Sequence, residues 1–266
     1  MNAFRSQRSR PGIVASALLV LVSSLVIPAE PAKAQSGCPG TPVYDTTPSP
    51  LTGIINTYYP GRASVAASAT SILTGDRTGS TTALAAGNLA LVIQMQDADI
   101  NDSDSDSYGN GTAGGAGAGY DAINSTGRYE YIRVTSVSGS GASRTVNFTG
   151  TNSGGLNYSY RAGAYASGSG GNGQRSFQVI RVPQFEDAIV AAGLTALPWT
   201  SSVVNTTNGT GPTGGVLAFD VSGTLMLAGQ TISVDGLGFR GGGGRELAGE
   251  SSDTPKDSTA HLLVTT

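Results

Sequence analysis

Only 12% of this 266-residue chain is charged, while 39 positions are glycine and about a fifth are serine or threonine. A surface helix needs a solvated outer face, which Glu, Lys and Arg normally supply, and each interior glycine costs it about 1 kcal/mol relative to alanine. A coiled coil or helical bundle is therefore excluded, and short β-favouring runs punctuated by turns are what remain. Glycine and proline together fill 51 positions, about 19% of the chain, which is below the level of pure low complexity, so a core can still form. Fifteen Lys and Arg against 18 Asp and Glu give a net charge of −3 without any basic cluster, which argues against a nucleic-acid partner.

Residues 1–34 read as an export signal. Arg5, Arg8 and Arg10 precede the apolar run Ile13 to Ile27, and Ala32-Lys33-Ala34 closes the segment as an A-x-A cleavage site. The run is interrupted by Ser23-Ser24 and falls short of the roughly 18 residues that span a bilayer, so no membrane span is expected once the signal is removed. Cleavage after Ala34 leaves 11 positive against 17 negative groups, an acidic secreted product bound for the cell surface or the medium. Cys38 is the only cysteine, which excludes a disulfide within the chain.

The Pro/Thr-rich stretch 35–52 reads as an extended leader, residues 53–245 as one β-rich domain, and 246–266 as a polar, disordered tail. Strands are expected at Ile54 to Tyr59, Ser64 to Leu73 and Phe177 to Val182, with Leu89 to Met95 as a central strand buried on both faces. Tyr129 to Val137 and Ser143 to Thr149 flank Gly139-Ser140-Gly141 as a hairpin. Phe185 to Ala192 fits a short helix or an edge strand equally. In 215–236, Leu217, Phe219 and Val221, then Leu225 and Leu227, then Ile232 and Val234 alternate inward. Three strands about seven residues apart would make a rung of about 21 residues, the length of one β-helix turn, but also fit a meander. The fold class expected is all-β: a β-sandwich-like or partly right-handed β-helical module. Its long Gly-rich loops lie at 97–127 and 150–175, where function or mobility concentrates.

Chemistry has few candidates. The only histidine, His261, lies in the polar tail, which argues against a Ser-His-Asp triad, a Cys-His pair or a His-based zinc site. Gly236-Leu237-Gly238-Phe239-Arg240-Gly241 has the dinucleotide-binding spacing, but glycines follow where a helix must begin, so it reads as a loop. Asp97, Asp99, Asp102, Asp104 and Asp106 cluster in one loop without the glycine and glutamate of an EF-hand; a weak extracellular Ca²⁺ loop and a solvated acidic loop both fit. No other cofactor is expected. Glu130, Glu186, Asp187, Asp220 and Asp235 are the acids available for glycoside chemistry, and Arg240 is the base candidate for a polysaccharide lyase. Tyr58, Tyr59, Tyr108, Tyr120, Tyr158, Tyr160 and Tyr165 lie in or beside the loops, where flat rings suit recognition of cell-surface glycans or other surface proteins.

Five segments carry a resemblance: Asn56-Thr57-Tyr58-Tyr59-Pro60-Gly61, Gly87 to Asp97, Gly127-Arg128-Tyr129-Glu130-Tyr131, Gln178 to Pro183, and Gly238-Phe239-Arg240-Gly241-Gly242. Over roughly 53–245 the chain resembles the N-terminal region of large secreted bacterial surface proteins, cyanobacterial ones among them, that continue into Ig-like conserved repeat domains. The resemblance implies an exported surface protein, assigns no catalytic residue, and suggests a fragment of a longer chain. A non-catalytic structural or adhesive surface module is the expected function, with a carbohydrate-binding or carbohydrate-active β-protein as the alternative.

Overall fold

The computed structural model describes residues 41–45, 50–100, 120–164, 174–200 and 209–239. The fold is all-β, and the described residues contain no α-helix. Its strands are β1 (Leu51–Ile54), β2 (Thr57–Pro60), β3 (Ser71–Thr74), β4 (Thr78–Gly79), β5 (Leu89–Gln96), β6 (Asp99–Ile100), β7 (Tyr120–Ala122), β8 (Tyr129–Ser138), β9 (Arg144–Thr149), β10 (Ser176–Val182), β11 (Gln184–Phe185), β12 (Ala188–Thr195), β13 (Asp220–Val221) and β14 (Leu225–Met226).

Seven strands form one antiparallel sheet in the order β3-β9-β8-β5-β10-β2-β4. Both faces of its centre are buried: Leu89 to Val92 reads as an apolar run without alternation, and Phe177 to Val182 is buried throughout, Gln178 and Arg181 included. On one face Tyr59, Val92, Ile132, Phe148, Phe177 and Val179 pack beneath Leu84, Leu156 and Tyr160. On the other, Tyr58, Leu91 and Ile180 meet Leu197, Val216 and Ala218. Each such side chain contributes about 1.5–3 kcal/mol on leaving water. Gly61 is required where it stands: a Cβ there would overlap the Phe177 ring.

A second element is parallel. β12 lies between β1 and β14, with Leu51 opposite Val190 and Ala188 opposite Leu225. β11 pairs with β13 in the same sense, and Leu194 bridges Ile232. Leu51, Phe185, Ala188, Val190 and Leu194 form its core, with Leu217, Phe219 and Val221 packed against them. The whole seven-stranded sheet is an excursion between two layers of this stack. The chain leaves β1 into β2 and returns from β10 into β11, and the two ends, Thr57 and Arg181, are register partners.

Buried carboxamides fasten the parts. The Asn56 side chain donates to Ala218 O at 2.5 Å and to Arg181 O at 2.9 Å, and accepts from Ala218 N at 3.0 Å. Gln178 holds both the N–H and the C=O of Gly214, and Gln94 does the same for Arg161. Each amide therefore completes a backbone pairing that no strand supplies. Arg133 donates to Gln184 Oε1 at 2.6 Å, Gln184 donates to Asp220 Oδ2 at 2.8 Å, and Asp45 pairs with Arg181, closing the joint between sheet and stack.

Several expectations need correction. The repeat that stacks is not about 21 residues: Gln184 meets Asp220 36 positions on, Ala188 meets Leu225 37 on, and Leu194 meets Ile232 38 on. Leu225, Leu227, Ile232 and Val234 do not point into a core; they are exposed, because the described residues place no further layer beyond them. Ser64 to Leu73 is a strand only from Ser71, and Phe185 to Ala192 is strand rather than helix, split between β11 and β12 by a bend at Glu186-Asp187. The first strand starts at Leu51, inside the expected leader.

Candidate functional site

Antiparallel pairing brings one end of β5, β8 and β10 together: Gln96 faces Ser176, and Ile93 faces Tyr129. Both long loops leave from this end, one after β5 and one before β10. Their tips, 101–119 and 165–173, lie outside the described residues. Their stems are held firmly. Asp99 and Ile100 pair with Ala122 and Tyr120, and Gly163 and Arg175 exchange both backbone hydrogen bonds at 2.9 Å.

Asp97 and Asp99 lie at this root. The fully buried Asp97 carboxylate meets Arg161 Nε at 2.7 Å and Arg175 Nε at 3.5 Å, and accepts from Ser125 N. Asp99 accepts from Asn124 Nδ2 at 2.8 Å and pairs with Arg175 at 2.9 Å; the Asn124 hydrogen bond, then Arg175, holds its carboxyl below the usual value. A Ca²⁺ at these two carboxylates would have to displace guanidinium groups. Asp102, Asp104 and Asp106, the rest of the proposed calcium loop, lie outside the described residues, as do Cys38, Tyr108, Tyr165, Arg240 and His261. The described residues hold no cluster of three or more His, Cys, Asp or Glu suited to a metal.

The same end carries a shallow concavity lined by Gly127, Arg128, Tyr129 and Tyr158. A turn over 123–128 builds it, with Thr126 N bonded to Ile123 O and Arg128 N to Ser125 O. Gly127, at φ +80°, takes the left-handed conformation that lets the chain swing into β8. Gln94 of β5 clamps the turn through two backbone bonds, Gly127 N to Gln94 O and Gln94 N to Arg128 O. The Arg128 guanidinium sits 5.4 Å from the centre of the Tyr158 ring, and Tyr129 meets Tyr131 edge-on at 6.5 Å. Tyr129 is 56% exposed and Tyr158 40%, so both rings present surface to solvent.

Glu130 supports the concavity from beneath. Alternation turns it away from Tyr129 into the sheet, where it is buried. Its carboxylate accepts from Asn157 N at 2.8 Å, Tyr158 N at 3.1 Å and Tyr160 Oη at 3.1 Å, so one strand residue fixes the loop that carries Tyr158. Burial, then the Glu130 charge, pushes the Tyr160 hydroxyl well above its ordinary pKa. Glu130, one of the acids the sequence offers for glycoside chemistry, is engaged here in bracing the loop that carries Tyr158.

The remaining candidates separate. Glu186 and Asp187 are exposed at the bend after β11, where Asp187 Oδ1 accepts from Thr224 N; Asp220 is engaged by Gln184. Tyr58, Tyr59 and Tyr160 are fully buried and offer no recognition surface; the alternation of β2 places Tyr58 and Tyr59 on opposite, covered faces. Arg128 and Tyr129 carried no weight in the sequence as recognition residues. The signal that finds them is Gly127, which marks a turn at a sheet end beside two long loops. No family model, curated protein or solved structure matches the chain.

Proposed function

We propose that the chain is an exported, non-catalytic cell-surface or extracellular-matrix module, structural or adhesive, that engages its partner through the loop end of the seven-stranded sheet. The observation carrying this reading is convergence: both long loops, on stems tied by Asp97, Asp99, Arg161 and Arg175, emerge beside the exposed Tyr129 and Tyr158 rings. Rigid stems and amphipathic rings at one end suit binding of a surface rather than turnover. The signal-like residues 1–34 support export.

A glycan is the second reading, and Tyr129 favours it. A half-exposed flat ring stacks on a sugar face, and the planar donors of Arg128 alongside suit a hydroxyl or carboxylate. The test is sedimentation of the purified protein with cell-envelope material and with purified polysaccharides, comparing wild type with Tyr129→Ala/Tyr158→Ala. At least tenfold weaker binding at unchanged melting temperature is expected. Equal binding by the double variant removes the site, and release of sugar ends from any polysaccharide replaces the non-catalytic reading with an enzymatic one.

A further inference from the structure

Arg128 is the cation that the described loop end leaves unspent. Its neighbours Arg161 and Arg175 are taken up by Asp97 and Asp99. Arg128 is exposed, and among the described residues its guanidinium makes no ion pair or hydrogen bond; what holds it is the Tyr158 ring beneath. The described acids at this end are committed elsewhere. Glu130, two positions on, is turned into the sheet, and both its oxygens accept from Asn157, Tyr158 and Tyr160. Asp97 is fully buried, and Asp99 is engaged by Asn124 as well as Arg175.

The concavity is therefore rich in donors and poor in acceptors. A guanidinium only donates, the two phenol hydroxyls donate or accept, and no carboxylate or carboxamide side chain is among the lining residues. A neutral sugar presents hydroxyls that must donate as well as accept, so on this wall part of its donors would go unmatched. A ligand that brings its own anionic acceptors fits better, because carboxylate or sulfate oxygens can take two parallel, charge-assisted bonds from the planar guanidinium. Tyr129, 56% exposed and adjacent to Arg128, supplies the flat face on which the sugar ring carrying that group can stack. The concavity is shallow and open, which suits an inner unit of a polymer crossing it rather than an enclosed chain end. Building on the glycan reading of the loop end, we propose that this site takes an acidic polysaccharide, with the anionic group of one unit on Arg128 and its sugar ring on Tyr129.

The test compares binding of the purified protein to polygalacturonate, dextran sulfate and neutral dextran. The chain carries a net charge of −3, so attachment to a polyanion cannot come from its overall charge. At least one acidic polymer should bind at least tenfold more tightly than dextran, and which one it is separates a carboxylate from a sulfate ligand. Arg128→Gln should weaken that binding at least tenfold at unchanged melting temperature, while Arg128→Lys, which keeps the charge without the fork, should fall between the two. Dextran bound as tightly as the acidic polymers, no acidic polymer bound, or Arg128→Gln binding like wild type each overturns the proposal. Competition for cell-envelope material separates this inference from the reading on which it rests. If Tyr129→Ala/Tyr158→Ala loses envelope binding but neither acidic polymer displaces the wild type, the acidic ligand falls and the loop-end site stands; equal envelope binding by that variant removes both.

Discussion

Replacing Asn56 by alanine deletes the clamp where the stack passes into the sheet. Its carboxamide makes three hydrogen bonds, two donated and one accepted, in a site with no solvent access. Each neutral hydrogen bond contributes about 0.5–1.5 kcal/mol net, and a buried peptide group left without its partner costs about 1–3 kcal/mol. Ala218 loses the partners of both its N–H and its C=O, so the expected loss is about 3–5 kcal/mol, a large share of the 5–15 kcal/mol that holds a typical domain. With a urea slope of roughly 2 kcal/mol/M, the unfolding midpoint should fall by about 1.5–2.5 M. Equilibrium urea unfolding followed by far-ultraviolet circular dichroism measures this. Asn147→Ala, which removes an exposed bond to Ser136 Oγ, is the control and should change stability by less than about 0.5 kcal/mol. Asn56→Asp should be no better than alanine near neutral pH, because a carboxylate can still accept from Ala218 N but repels the carbonyls of Ala218 and Arg181. A loss under about 1 kcal/mol for Asn56→Ala would refute the view that this amide joins the two parts of the fold.

Three further outcomes are expected. Burial, partly offset by the Leu197 N–H, raises the Tyr58 hydroxyl from its ordinary 10 to about 12. A group whose folded value lies above its unfolded one stabilises fully below pH 10 and loses that contribution as pH rises toward 12, here about 2–3 kcal/mol; Tyr58→Phe should flatten the alkaline fall in chemical stability across that window. Asp97→Ala should cost about 2–4 kcal/mol in thermal unfolding, since it strands Ser125 N and leaves Arg161 and Arg175 facing one another without their shared acid. Asp99 is held low, so its contribution is present above about pH 4 and is lost as pH falls through its folded value; Asp99→Asn should remove that part of the acid sensitivity, read from melting temperatures between pH 2 and 6.

The sheet was more legible than the stack, for a physical reason. Leu89 to Val92 announces a two-sided core through composition alone, and Gly139 marks the turn between β8 and β9. Parallel pairing leaves no such local mark. Leu51 and Val190 are 139 positions apart, and the register between β12 and β14 is set by how the intervening chain closes rather than by alternation within 215–236. The loop end of the sheet was half legible: loop lengths pointed to the 97–127 and 150–175 segments, but which tyrosines face solvent depends on what covers each face of the sheet. Tyr58 and Tyr129 are the same residue type on strands of the same sheet, and only their neighbours distinguish a core ring from an exposed one. Glu130 and the three carboxamides were invisible because their partners, Asn157, Ala218, Gly214 and Arg161, are 27 to 162 positions away or belong to loops.

Because the excursion 57–182 begins and ends on paired neighbours, Thr57 and Arg181, its length is decoupled from the stack that frames it. Closing a loop between adjacent ends costs only about 0.6 kcal/mol more for each doubling of length. Insertions at the loop end of the sheet, far from that doorway, leave the spacing of β1, β12 and β14 untouched. The architecture thus separates a part that can diverge from a part that must keep count: the head is free to change its loops, while the parallel layers hold the register on which any continuation of the chain would have to build.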